Sequence, residues 1–98
     1  MNRIDLDINN PLFLKVFLEL RGQELERVAK ALHRLSRYSW DEIYRAPGLN
    51  WETIRHVTVG GQATASIRFS RKYRAVVVRE GNVLRVLSLH LDHDSAYE

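Results

Sequence analysis

The sequence predicts an α+β fold in which an N-terminal helix hairpin packs on a mainly antiparallel four-stranded sheet. Three observations carry this expectation. Apolar residues between Leu12 and Leu35 recur at helical spacing. After Trp51 the composition shifts to Thr, Val and Ile. Turn signals then come at short intervals, at Gly60-Gly61, Ser70-Arg71-Lys72 and Glu80-Gly81-Asn82.

The chain has 98 residues, which suits one domain spanning 1–98. Its hydrophobic fraction of 45% is that of a globular protein rather than a disordered one. There is no cysteine, so disulfides and thiolate metal sites are ruled out. The apolar run Leu12–Leu14 is too short for a signal-peptide core or a membrane span. A cytoplasmic protein with no membrane partner is expected.

The elements follow in order. Asn10 can cap a helix and Pro11 suits its first position, where a missing N–H costs nothing. Leu12, Phe13, Val16, Phe17 and Leu20 then keep helical spacing until Gly22 interrupts. A second helix from about Gln23 carries Leu25, Val28, Ala29, Leu32 and Leu35 on one face. Its other face, Glu24, Arg27, Lys30 and Arg34, reads as a solvated surface. Ser39-Trp40-Asp41-Glu42 matches a capping box, which predicts a short third turn through Tyr44, ended by Pro47-Gly48. Four strands are expected over 51–58, 64–69, 73–79 and 83–91. Asp5 to Ile8 alternates weakly and can add an edge strand. The helices must cover one sheet face, because neither layer buries its apolar side alone.

Charge is unevenly placed. The net charge is +3, yet from Arg55 to Arg85 there are seven Lys/Arg and a single acid, Glu80. A concentrated basic region suggests a polyanion partner, either nucleic acid or an acidic protein segment. The competing reading is a sheet edge that uses cations against edge pairing.

Four stretches resemble the RelE/ParE superfamily of toxin–antitoxin toxins, nearest the HigB-like and RelE-like mRNA interferases. "PGLNWETIRH" (Pro47–His56) resembles the family's lead-in to its first meander strand. "SIRFSRKYRAVVV" (Ser66–Val78) is similar to its hairpin with an arginine on each arm. "GNVLRVLSLH" (Gly81–His90) resembles its last strand, and "HDSAY" (His93–Tyr97) its C-terminal ending. The helices match only in size and order.

The resemblance implies a RelE-like fold and a toxin that cleaves mRNA, on the ribosome, with no cofactor and no metal. It also implies a cognate antitoxin partner. In such chemistry the ribose 2′-OH attacks the adjacent phosphate. A base takes its proton, a cation holds the developing charge and an acid protonates the leaving oxygen. Arginine suits the phosphate because its planar fork meets two oxygens. By resemblance, Arg74 and Arg68 take that task, Arg74 foremost. His90 and His93 are candidates for proton transfer, and Tyr97 can stack on a base or assist. Arg55, Arg71 and Lys72 are candidate RNA-binding residues.

Plainer readings stand beside these. Arg74 can be a surface arginine lying along Tyr73, His90 a strand-end residue bonded to the backbone, and Tyr97 a packing anchor. Which histidine acts stays open, since Asp92 and Asp94 flank His93 and the first meander strand offers Arg55 and His56 where relatives often carry lysine. Three alternatives remain. One is a ParE-like inhibitor of DNA gyrase, and another is a nucleic-acid-binding module without chemistry. The third is a metal site at His90-Leu-Asp-His93-Asp94. That site needs a bend, because residues three apart on a strand face opposite sides.

Overall fold

The protein is represented by a computed structural model, which describes residues 2–91. In chain order the elements are β1 (Asp5–Asp7), α1 (Pro11–Phe17), α2 (Gly22–Ser36) and α3 (Trp40–Arg45). The meander β2 (Glu52–Val59), β3 (Gln62–Arg68), β4 (Tyr73–Glu80) and β5 (Val83–Leu91) follows. The sheet has five strands in the order β1-β5-β4-β3-β2. The meander is antiparallel, as expected. The additional strand is β1, which pairs parallel with β5.

The addition of β1 has a local cause. The Asp5 N–H donates to the Asn82 carbonyl at 2.9 Å, and the Asn82 side chain donates to the Arg3 carbonyl at 3.0 Å. On the other side, the Ile4 N–H donates to the Tyr38 carbonyl just past α2, and Ile4 is buried. The N-terminal segment is thus tied to both layers.

The starts of α1 and α3 are capped as expected. The Asn10 side chain accepts from the Leu12 N–H at 2.8 Å, with Pro11 next in line. Ser39 and Glu42 form a full capping box on α3. The bond from the Ser39 backbone N–H, followed by the Ser39 hydroxyl contact, holds the Glu42 carboxyl below its ordinary value. On α2 the buried stripe is Val28, Ala31, Leu32 and Leu35. Leu25 and Ala29, expected inside, are exposed. The stripe keeps i, i+3, i+4, i+7 spacing and lies slightly further round the helix.

One core joins the layers. Phe13, Val28, Leu32 and Leu35 meet Ala65, Ile67, Ala75, Val77, Leu84, Val86 and Leu89. Along β5 the inward residues change phase between Val86 and Leu89. The bulge explains this. Val77 pairs with Val86 and Val76 with Ser88, so Leu87 is the extra residue. A second irregularity sits on β2. Ile54 pairs with Thr64 and Thr58 with Ala63, so Arg55, His56 and Val57 have no opposite residues on β3. The Thr64 hydroxyl donates to the Val57 carbonyl at 3.0 Å and fixes that excursion. Among the described residues no helix is long and apolar enough to cross a membrane.

Candidate active site groove

With the helices covering one sheet face, the other face carries the alternate residues. Arg68 on β3 is the register partner of Arg74 on β4, and Arg74 is the register partner of His90 on β5. Directly opposed residues of an antiparallel pair share a face, with Cβ atoms about 5 Å apart. The three side chains therefore form one row. The next row, Glu52, Ser66, Val76 and Ser88, lies beside it on the same face.

A groove of about 800 Å³ opens over this surface, lined by Glu52, Arg55, His56, Ser66, Arg74 and His90 among others. Arg74 forms its floor and is only 7% exposed. Its Nε donates to Ser66 Oγ at 2.7 Å, and its Nη2 donates to the Asn50 carbonyl at 3.4 Å. Nη2 also lies 3.5 Å from a carboxylate oxygen of Glu52, a largely exposed side chain. A buried guanidinium so tethered is fixed in direction, and its charge stays little screened. Among the described residues, Nη1 makes no hydrogen bond. The alternative of Arg74 as a surface arginine thus gives way to a buried, bonded one.

His90 is exposed at the other end of the row. Its Nε2 lies 2.7 Å from Ser88 Oγ, two residues back on the same side of β5. Its partner is thus a side chain rather than backbone. Arg55 and His56 stand on the β2 irregularity, which turns both toward the groove rim. Arg68 is half-buried in the shared row, and its backbone N–H donates to the Leu49 carbonyl at 2.7 Å.

Other expected residues lie apart. Arg71 and Lys72 are exposed at the β3–β4 turn, where the Ser70 hydroxyl accepts from the Lys72 and Tyr73 N–H groups. Neither lines the groove. His93 and Tyr97 lie outside the described residues. Among the described residues no three His, Asp or Glu side chains gather as metal ligands.

The basic run from Arg55 to Arg85 is therefore not one patch. Arg79 points to the helix face, where its guanidinium lies 4.2 Å from the centre of the Trp40 ring and donates to Tyr44 and to the Gly81 carbonyl. Arg85 is paired with Glu80 at 2.8 Å and Asp7 at 3.5 Å. Strand alternation divides a contiguous run of cations between two faces.

Two polar groove residues, Glu52 and Ser66, escaped the sequence reading, and His56 has a place on the first meander strand in that reading but no site role. The phase of β2 and β3 was the available signal. Once Arg68 is assigned outward, Ser66 must also face outward, and Glu52 follows from its pairing with Ser66. His56 carried no such signal, because the strand irregularity breaks the alternation.

The architecture and this open-faced groove define a RelE-like fold. In particular, the chain superposes on a chain of the archaeal RelE–RelB complex from Pyrococcus horikoshii OT3 with a TM-score of 0.68 and 14% identity, covering 95% of this chain and 99% of that one. The YoeB dimer structure from Staphylococcus aureus matches with a TM-score of 0.55 and 14% identity, covering 94% of this chain and 100% of that one. No family model and no curated protein sequence matches the chain. The likeness is one of fold, the fold expected from the sequence.

Proposed function

We propose that the protein is the toxin of a type II toxin–antitoxin pair, an endoribonuclease that cleaves mRNA on the ribosome by 2′-OH attack without a metal. The observation that carries this reading is the register pair Arg74–His90 in one groove with Glu52, with Arg68 next to Arg74 in the same row. A scissile phosphate over Arg74 would meet a fixed guanidinium, with the Glu52 carboxylate towards β2 and the His90 imidazole towards β5. The carboxylate suits the base that takes the 2′-OH proton, and the imidazole suits the acid that protonates the 5′-oxygen. The O2′–P bond forms, the P–O5′ bond breaks, and a 2′,3′-cyclic phosphate remains. Arg68 adds charge in the row, and Arg55 and His56 guide the strand over the rim.

Two features support the partner and setting. The fold is shared with a chain solved in a RelE–RelB complex, so an antitoxin of RelB type is the expected partner. The residues of the chain form a small basic unit with no membrane-length helix among those described, which agrees with work in the cytoplasm on translating ribosomes.

The test is induced expression with mapping of mRNA ends. Growth arrest with new cuts inside translated messages, abolished by Arg74→Ala, is expected. Arrest with intact messages and inhibited gyrase would instead place the chain with ParE-like toxins. RNA binding with neither arrest nor cuts would leave a module without chemistry.

A further inference from the structure

The outer face of α2 carries a second concentration of charge, far from the groove. Arg27, Lys30, Arg34 and Arg37 recur at i, i+3, i+7 and i+10, and all four are exposed. At 1.5 Å rise per residue they form a stripe about 15 Å long. Helical periodicity puts this stripe to one side of the buried Val28, Leu32 and Leu35, with Ala31 at its margin. At its C-terminal end a surface groove of about 520 Å³ is lined by Lys30, His33, Arg34, Arg37, Tyr38 and Glu42.

The neighbouring acids do not cancel this charge. Glu42 is the one acid lining that groove, and its Oε1 is already committed to the Ser39 N–H at 2.9 Å. Lys30 contacts Glu26 at 2.9 Å, with both side chains well exposed. Exposed i, i+4 pairs of this kind are weak and exchange readily for another anion. Because α2 covers the helix-side face of the sheet and the cleavage groove lies on the other, one short strand cannot fill both.

We propose that the α2 stripe docks the phosphate backbone of a folded, double-helical RNA, separately from the strand held in the groove. Duplex RNA rather than an acidic protein segment is favoured by what the stripe lacks. No apolar residue of α2 lies within that sector, and the half-buried Tyr38 is the one aromatic residue lining the groove at its end, whereas protein partners bring several aromatic and apolar anchors. A double helix presents a charge about every 1.7 Å of axis, so a 15 Å cationic rod meets several phosphates without reading sequence. RNA as the polyanion rests on the proposed function; the charge stripe does not.

The test uses the full chain carrying Arg74→Ala, so that cleavage does not consume the probe. The probe is a labelled RNA hairpin of about 20 base pairs, titrated at several salt concentrations. Adding Arg34→Gln and Arg37→Gln should weaken binding and lower the log–log salt slope by about 2. Glutamine keeps the helix and removes only charge. An unchanged affinity and slope would overturn the inference. So would displacement of the hairpin by polyglutamate as effective as by unlabelled hairpin, because the partner would then be an acidic protein segment. In the otherwise native chain, Arg34→Gln with Arg37→Gln should leave cleavage of a short single-stranded RNA unchanged. A parallel loss there would merge the stripe with the groove and end the proposal of a separate site. If the stripe binds the hairpin while the native chain cleaves nothing, the nuclease reading fails and this one stands.

Discussion

Arg74 and His90 are register partners across β4 and β5, on the sheet face that the helices leave open. One is a buried, tethered cation and the other an exposed imidazole bonded to Ser88. The pairing sets a fixed cation beside an imidazole, the two groups that the proposed cleavage assigns to one phosphodiester.

Loss of the fork should be decisive. Arg74→Ala should lower RNA cleavage by roughly 100-fold or more, the range seen when a preorganised charge donor is removed. Arg74→Lys should recover little, because an ammonium cannot hold Ser66 and a phosphate in one plane. Cleavage rates on a defined RNA check both, with circular dichroism showing the fold kept. A folded Arg74→Ala chain that cuts at the native rate sinks the assignment.

Ser66 should act through Arg74. Ser66→Ala removes the 2.7 Å acceptor from a buried guanidinium, and a hydrogen bond to a charged group contributes about 1.5–3 kcal/mol. A fall in melting temperature, with a smaller loss of cleavage than in Arg74→Ala, is expected. Equal losses would instead mean that Ser66 itself contacts the substrate.

Asn50 links backbone strain to the site. Its φ is +49°, and its carbonyl accepts from Arg74 at 3.4 Å. Asn50→Gly should be tolerated. Asn50→Val should cost about 1–2 kcal/mol, because a β-branched residue resists this conformation. Urea unfolding of the two variants distinguishes them, and equal midpoints would contradict the strain argument.

The α3 cap sets a pH dependence. The Glu42 carboxyl is held below its ordinary value of 4.5, first by the Ser39 backbone N–H. A depressed carboxylate stabilises the fold above its unfolded value, and that contribution is lost as pH falls through the lower folded one. Glu42→Gln should therefore flatten the melting-temperature profile below about pH 4.5. Ser39→Ala should cost about 1 kcal/mol at neutral pH. A profile identical to the native chain's would show that the cap does not titrate with folding.

By itself the sequence determined the parts of this protein that depend on local chemistry. Asn10-Pro11 and the Ser39–Glu42 box fix helix starts, Ser70–Lys72 and Gly81-Asn82 fix turns, and the alternation of β3 and β4 assigns Arg68 and Arg74 to a common side. These signals act over a few residues, so they can be read without the rest of the chain. Only the tertiary structure decided what depends on pairing. It brought β1 against β5, shifted the phase of β5 at Leu87, and set Arg55 and His56 at the groove rim on the β2 irregularity. It also divided the cations between the groove, the Trp40 side and the outer face of α2. The physical reason is that a bulge or a parallel edge strand is selected by the neighbouring strand's hydrogen bonds and by the core it must close, and neither is encoded near the residues it moves.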